Sequence, residues 1–254
     1  MVTRNRSRLS YKVIFAVRHP GQVLPYGRRL ARDLWLRAKF RDHVSYYRAV
    51  MRHDAKASPV AAVGSRSLEQ WQLFGQMQFD YLVKHGLKPH DRLLEIGCGN
   101  LRAGRLFIDY LNVGNYYGID ISPEMLLSAQ QVLADCGLQY KLPRLALSND
   151  LTFAFLPDGY FTAVHAHSVF SHCPLPIIEE CFTHIGKVMA PAAIFDFTFY
   201  RSDEADYQVL REDFYYRVET LEQLARRYGF RAQIMDDWDD PWDLQPKMRL
   251  TRET

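Results

Sequence analysis

The chain has 254 residues, of which 48% are hydrophobic and 24% are charged, a composition typical of a globular protein with a sizeable core. Its four cysteines have neither zinc-site spacing nor the density of a disulfide-rich secreted domain, which indicates a reducing compartment. No apolar run approaches the roughly 20 residues of a membrane-spanning helix, so a cytoplasmic location is expected.

Positive charge is concentrated in a basic arm, residues 1–60, which contains 14 Lys and Arg against 3 Asp and Glu. The rest of the chain contains 18 against 26. Apolar residues recur at roughly helical spacing and predict an amphipathic helix in the arm: Leu30, Leu34, Phe40, Val44, Tyr47 and Met51.

The composition of the arm leaves three roles open. It suits a solvated helical segment packed on the domain, an organelle transit segment, or a surface for anionic lipid or nucleic acid. Nucleic acid is disfavoured because no recognition motif accompanies the charge. Peripheral contact with an anionic membrane through residues 1–60 therefore remains a hypothesis.

Residues 59–65 have the composition of a linker, so the main domain is predicted to span residues 61–254. An amphipathic helix is expected at its start, between residue 67 and Gly86, and Pro89 prevents its continuation. The apolar positions of this helix are Leu68, Trp71, Phe74, Met77, Tyr81 and Leu82.

Residues 92–106 read RLLEIGCGNLRAGRL and predict a short buried strand, a glycine turn and a helix. Gly97 and Gly99 permit a tight turn and close approach of a ligand to the backbone, and the helix that follows offers free N–H groups. The dinucleotide pattern requires a third glycine where this chain has Arg102, and Glu95 would repel a diphosphate. A carboxylate at Glu95 can instead face a cationic ligand.

This E-x-G-x-G-x stretch resembles motif I of the class I S-adenosylmethionine-dependent methyltransferases. The resemblance implies that S-adenosyl-L-methionine is the cofactor and that Glu95, Gly97 and Gly99 help to bind it. Residues 115–121 predict the next strand, which ends in Asp120, 21 residues after Gly99. In a doubly wound sheet, a carboxylate there lies where ribose hydroxyls are held.

Two further strands carry candidate site residues. A weak strand over residues 144–148 leads to Asn149 and Asp150, and the resemblance implies that a polar residue here reads the adenine amino group, unless it only forms a turn. A fourth strand over residues 160–167 follows. Related proteins often carry Asp where this chain has Thr162, so no metal is expected at this strand.

Residues beyond Ala166 are expected to border the methyl-transfer site, because ligands lie beyond the carboxyl ends of such strands. His172 follows in a Ser-Val-Phe-Ser-His run, where related methyltransferases commonly carry a histidine bordering the acceptor. Imidazole exchanges protons near neutral pH, so His172 is the predicted general base and His167 the alternative. His165 is predicted to be structural.

The remaining pattern predicts a helix from residue 177 to 189, a strand over 192–199, a helix over 220–228 and two strands over 230–235 and 247–251. The predicted fold is α/β, with a doubly wound, mostly parallel seven-stranded sheet, a terminal antiparallel hairpin and an N-terminal helical arm.

The predicted function is S-adenosylmethionine-dependent methyl transfer to a hydroxyl of a small molecule, a sugar or a lipid. Two alternatives remain. One is an NAD(P)-dependent oxidoreductase, which the glycine pattern opposes, and the other is a non-catalytic protein that binds S-adenosylmethionine.

Overall fold

A computed structural model describes the backbone of residues 20–240 and 245–253, with side chains from residue 27 onward. The chain divides into two compact units, with the boundary between Asp42 and His43. The predicted end of the basic arm, at residue 60, therefore lies one helix beyond the boundary between the two units. The arginines at positions 4, 6, 8 and 18 lie outside the described residues.

The first unit contains helix α1, Pro20–Lys39. Leu34 and Trp35 on this helix are about 60% exposed. The predicted apolar stripe is not on a single helix. Leu30 and Leu34 lie on α1, Phe40 follows its end, and the other three members lie between residues 43 and 57. None of the described helices combines the length and apolar character needed to cross a membrane.

The second unit begins with three helices, α2 (His43–Ala57), α3 (Pro59–Ala62) and α4 (Leu68–Lys84). Ser58 and Ser67 cap α3 and α4, since their hydroxyls accept hydrogen bonds from Ala61 N and Gln70 N. The segment predicted as a linker thus contains a short capped helix, which the Ser-Pro start favours.

A seven-stranded sheet forms the centre of the second unit, in the order β3-β2-β1-β4-β5-β10-β9. Its parallel strands are β1 (Leu93–Ile96), β2 (Tyr116–Asp120), β3 (Arg144–Leu147), β4 (Phe161–Ala166) and β5 (Met189–Thr198). The antiparallel strands are β9 (Phe230–Ile234) and β10 (Lys247–Arg252), and β10 pairs with both β5 and β9. The predicted doubly wound sheet with an antiparallel hairpin is confirmed.

Helices cover both faces of this sheet. They are α5 (Gly104–Tyr110), α6 (Pro123–Asp135), α7 (Leu175–Val188) and α8 (Val218–Arg227). Leu94 and Val164 pack in one apolar core with residues of α7 and α8, whereas Leu93 and Ala163 pack in the other with residues of α4 and α5. Strand residues alternate between the two cores, as the pleat requires.

A second, three-stranded sheet of β6 (Tyr200–Arg201), β7 (Tyr207–Val209) and β8 (Asp213–Tyr216) was not predicted, because its strands are too short for a periodic signal. Pro191 follows α7, which ends at Val188, and lies inside β5. The pairing register of β4 with β5 shifts there, between Phe161 and Ala163, and a missing N–H is tolerated.

Candidate active site

The glycine loop joins β1 to α5 at the carboxyl edge of the sheet. Gly97 and Gly99 have φ angles of +68° and +53°, in the left-handed region that favours glycine. The carbonyl of Ile119, on β2, accepts hydrogen bonds from Gly97 N at 2.8 Å and Cys98 N at 3.0 Å. The loop is therefore held to the neighbouring strand as it turns.

Both glycines are also required for packing against other parts of the chain. A Cβ at Gly97 would overlap Cγ2 of Val169, which follows β4, and a Cβ at Gly99 would lie 3.0 Å from Cγ1 of Val63. A side chain at either position would combine backbone strain with displacement of a neighbour.

Asp120 lies at the end of β2 and is 8% exposed. Its Oδ2 accepts a hydrogen bond from Gly99 N and its Oδ1 from Ser122 N, both at 2.8 Å. Burial raises the pKa of Asp120, and these backbone hydrogen bonds oppose the increase. Ser122, rather than Asp120, caps α6 by accepting from Met125 N. Each carboxylate oxygen retains a lone pair for a further donor.

Glu95 is buried beneath the glycine loop. The hydroxyl of Tyr116 donates a hydrogen bond to its carboxylate, and burial raises the pKa of Glu95 to about 7. A Cβ at Gly104 would lie 2.9 Å from its Oε2, so Glu95 packs against the start of α5. These contacts hold the carboxylate within the protein, and its predicted contact with the cofactor remains a prediction.

A segment that we term the strap, residues 43–65, crosses the carboxyl edge of the sheet. His43 Nε2–H donates to the carbonyl of His172 after β4, and Arg48 Nη1 donates to Asn149 Oδ1 after β3, each at 2.8 Å. Arg52 Nε lies 2.7 Å from Glu124 Oε1 at the start of α6.

The end of the strap contacts the glycine loop. The carbonyl of Pro59 accepts from Asn100 Nδ2 at 3.1 Å, and that of Val63 accepts from Arg102 Nη1 at 2.5 Å. The strap thus contacts the loops that follow β1, β2, β3 and β4. Sequence reasoning assigned most of it to the arm or a linker and did not identify it as part of the site.

Asn149 and Asp150 follow β3 and are exposed. Asn149 is bonded to Arg48 on the strap, whereas Asp150 accepts hydrogen bonds from the backbone N and the hydroxyl of Thr152. These bonds hold the pKa of Asp150 below its ordinary value. Asp150 therefore forms a local turn and Asn149 bonds the strap, so the contact of either residue with adenine remains a prediction.

His172 lies in a short 3₁₀ turn, Phe170–His172, after β4. Its Nδ1 is 2.8 Å from the carbonyl oxygen of Glu212, which can only accept, so Nδ1 carries the proton. Its ring stacks on Tyr47 of the strap, with centroids 5.4 Å apart, and meets the edge of Tyr200 at 6.0 Å. This tautomer leaves Nε2 as a proton acceptor on an oriented ring.

The structure does not bring His167 together with His172. His165 and His167 are buried on the face covered by α4, where His165 Nε2 lies 3.3 Å from Gln78 Oε1 and the His167 ring meets the edge of Trp238. Burial lowers the pKa of both imidazoles well below the ordinary value. His165 has the buried position predicted for a structural histidine.

Part of the chain is similar to known proteins. Residues 94–195 match the profile of a methyltransferase domain. The chain is 27% identical over 109 residues to methyltransferase phqN of Penicillium fellutanum, covering 43% of this chain and 32% of that protein. It is 25% identical over 164 residues to the probable methyltransferase ltbC of Aspergillus luteorubrus, covering 63% and 54%. The aligned parts are less than two thirds of either relative.

The fold is also similar to solved structures. Magnesium protoporphyrin IX methyltransferase (ChlM) of Synechocystis PCC 6803, solved with bound SAM, superposes with a TM-score of 0.60 and 18% identity. The match covers 84% of this chain and 98% of that chain.

The raised pKa of Glu95 predicts a pH-dependent difference in stability. The ordinary pKa of glutamate is 4.5 and that of folded Glu95 is about 7, so the folded state favours the neutral carboxyl group. The contribution of this group to the free energy of unfolding is complete below about pH 4.5 and is lost as the pH rises to about 7. Relative to wild type, Glu95→Gln should gain on the order of 3 kcal/mol in free energy of unfolding between pH 4.5 and 8.

Urea unfolding at several pH values measures this change, and Glu204→Gln, at an exposed glutamate, is the matched control. A difference between wild type and Glu95→Gln that stays constant from pH 5 to pH 8 would contradict the assignment.

Proposed function

We propose that this chain, which has the class I methyltransferase fold and contains a methyltransferase domain at residues 94–195, transfers a methyl group from S-adenosylmethionine to a hydroxyl of a small molecule, a sugar or a lipid. The observation that carries the proposal is the buried Asp120 carboxylate bonded to the glycine loop at the carboxyl edge of the sheet. Ligands of doubly wound sheets bind at this edge.

The residues at this edge fit an adenosyl ligand. Asp120 supplies acceptors for ribose hydroxyls, Asn149 supplies an amide for the adenine edge, and Gly97 and Gly99 let the backbone approach the ligand. When bound, S-adenosylmethionine supplies an electrophilic methyl group on a sulfonium. The strap, which contacts the loops around this position, would exclude water from the ligand.

The acceptor is proposed to be a hydroxyl because the site contains an oriented base. Methyl transfer to an alcohol requires removal of the hydroxyl proton, and His172 Nε2 can accept it while Nδ1–H remains bonded to Glu212 O. Tyr47 stacks on the same ring and would hold its orientation during proton transfer. The rest of the rate acceleration comes from positioning the acceptor oxygen in line with the methyl group and the sulfonium.

The ribose assignment predicts the effect of removing the Asp120 carboxylate. Asp120→Ala should weaken binding of S-adenosylhomocysteine at least about tenfold, because hydrogen bonds to a charged group are worth about 1.5–3 kcal/mol. Calorimetric titration measures the affinity, and Asp158→Ala, at an exposed aspartate, should bind like wild type. Equal affinity of the folded Asp120→Ala protein would contradict the assignment, and tight binding of NADH or NADPH would favour an oxidoreductase.

The base assignment predicts a loss of turnover without a loss of cofactor binding. His172→Gln should reduce the rate on the order of a hundredfold, because glutamine cannot take the proton. An acceptor is first identified by supplying labelled S-adenosylmethionine to cell extracts with the protein. His90→Gln, at an exposed histidine, is the control. Wild-type turnover of His172→Gln across neutral pH would exclude this role, and methyl transfer to no acceptor would favour a non-catalytic binding protein.

We also propose that α1 holds the protein at an anionic membrane surface. Exposed Leu34 and Trp35 lie on a helix that also exposes Arg28, Arg37 and Lys39. Apolar insertion combined with about 1 kcal/mol for each basic residue near the surface gives salt-sensitive peripheral binding. Vesicle sedimentation should recover wild type with anionic but not neutral vesicles, and less of a Leu34→Ser, Trp35→Ser double variant. Equal recovery with both vesicle types at low salt would refute it.

A further inference from the structure

A cluster of buried nitrogen atoms lies at the carboxyl edge of the sheet and is formed by two histidines and a lysine. His165 and His167 come from β4 and its end, and Lys247 begins β10. Lys247 pairs with Thr198, the last residue of β5, so its backbone lies at the carboxyl edge of the sheet, the edge at which ligands bind. His167 follows Ala166, whose partner on β5 is Phe197, the neighbour of Thr198.

Four nitrogens of this cluster have no hydrogen-bond partner among the described residues: His165 Nδ1, His167 Nδ1, His167 Nε2 and Lys247 Nζ. Lys247 and His165 are fully buried and His167 is 7% exposed. Buried polar groups are almost always bonded, and four exceptions in one place require an explanation.

Among the described residues no carboxylate is hydrogen-bonded to Lys247 Nζ, although the buried carboxylates of Asp196 and Asp240 both favour its charged form. Its ammonium lies 3.9 Å from the ring centroid of Trp238 and 4.7 Å from that of Tyr81, contacts that offset only part of the cost of burying a cation. Asp196, the nearest carboxylate on β5, is bonded at both oxygens to Arg249. Burial accordingly lowers the pKa of Lys247 to about 8.

Cationic groups act on the two imidazoles, whereas the carboxylates of Asp196 and Asp240 act on Lys247. Lys247 and Arg102 both act to lower the pKa of His165 and His167, so cationic groups face the imidazoles from β10 and from the glycine loop. Thr198 does not compete for the ammonium, because its hydroxyl donates to Gln245 Oε1 at 3.0 Å and accepts from Ser168 N at 2.8 Å. An oxyanion between His167 and Lys247 would receive donors from both.

We propose that His167 and Lys247 form a subsite for an oxyanion, a carboxylate or phosphate group, carried either by the methyl acceptor or by the amino-acid end of the cofactor. The assignment to one of these molecules rests on the proposed function, whereas binding of the anion itself does not. His167 thereby becomes a binding residue rather than the general base, in agreement with its separation from the contacts of His172.

Thermal unfolding of the full chain tests the subsite with sodium acetate and with inorganic phosphate as probes, against chloride at equal ionic strength and pH 7. An anion at about ten times its Kd should raise the wild-type Tm by roughly 2–4 °C, since it binds only the folded state. The rise should disappear in Lys247→Met and weaken in His167→Leu. Lys88→Met, at an exposed lysine, should respond like wild type.

Lys247→Met should also unfold at the same or a higher temperature in chloride alone, because it removes a buried cation and its desolvation cost. Repetition with saturating S-adenosylhomocysteine distinguishes the two sources. An anion response that persists with this ligand assigns the subsite to the acceptor, and one that it abolishes assigns it to the amino-acid end of the cofactor.

Two results would overturn the proposal: an equal anion response in wild type and Lys247→Met, or no response in wild type. The same experiment measures the Tm increase caused by S-adenosylhomocysteine alone. If this ligand raises the Tm and the anions do not, the subsite proposal fails while cofactor binding stands; if it does not raise the Tm, the proposed function fails.

Discussion

The candidate site depends on one buried carboxylate. Asp120 ends β2 and accepts hydrogen bonds from Gly99 N in the glycine loop and from Ser122 N at the start of α6. This side chain adds to the backbone hydrogen bonds from Gly97 N and Cys98 N to Ile119 O, and it joins the loop after β1 to the start of α6. Because both of its oxygens bond backbone donors, its position is fixed before a ligand binds, which reduces the ordering cost of binding.

The strap imposes the second constraint, since it contacts the loops that follow four adjacent strands. Arg48 and Arg52 bond the polar side chains of Asn149 and Glu124, and Tyr47 covers the ring of His172. Some of the positive charge of the N-terminal region therefore belongs to the site. One of these bonds, Arg52 to Glu124, pairs an arginine of the basic arm with an acidic residue of the main domain.

The succession of strands along the chain, the glycine loop and the position of Asp120 were predictable because each has a local signal: a short apolar run, paired glycines, and an acid at a fixed distance along the chain. The role of the strap was not predictable, because its contacts join residues about 40 to 130 positions apart. Lys247 gave no signal either, since one lysine at the start of a strand is usually exposed. The sequence also could not show that Glu95 would bond Tyr116 beneath the loop.

Hydrogen–deuterium exchange of the full chain with and without S-adenosylhomocysteine tests the central claim most directly, that an adenosyl ligand binds between the glycine loop and Asp120, under the strap. The account predicts increased protection in three segments together, residues 97–104, 118–122 and 43–65. Protection of the loop and Asp120 without the strap would contradict the assignment of α2 to the site. Unchanged exchange in all three segments at saturating ligand would contradict the account as a whole.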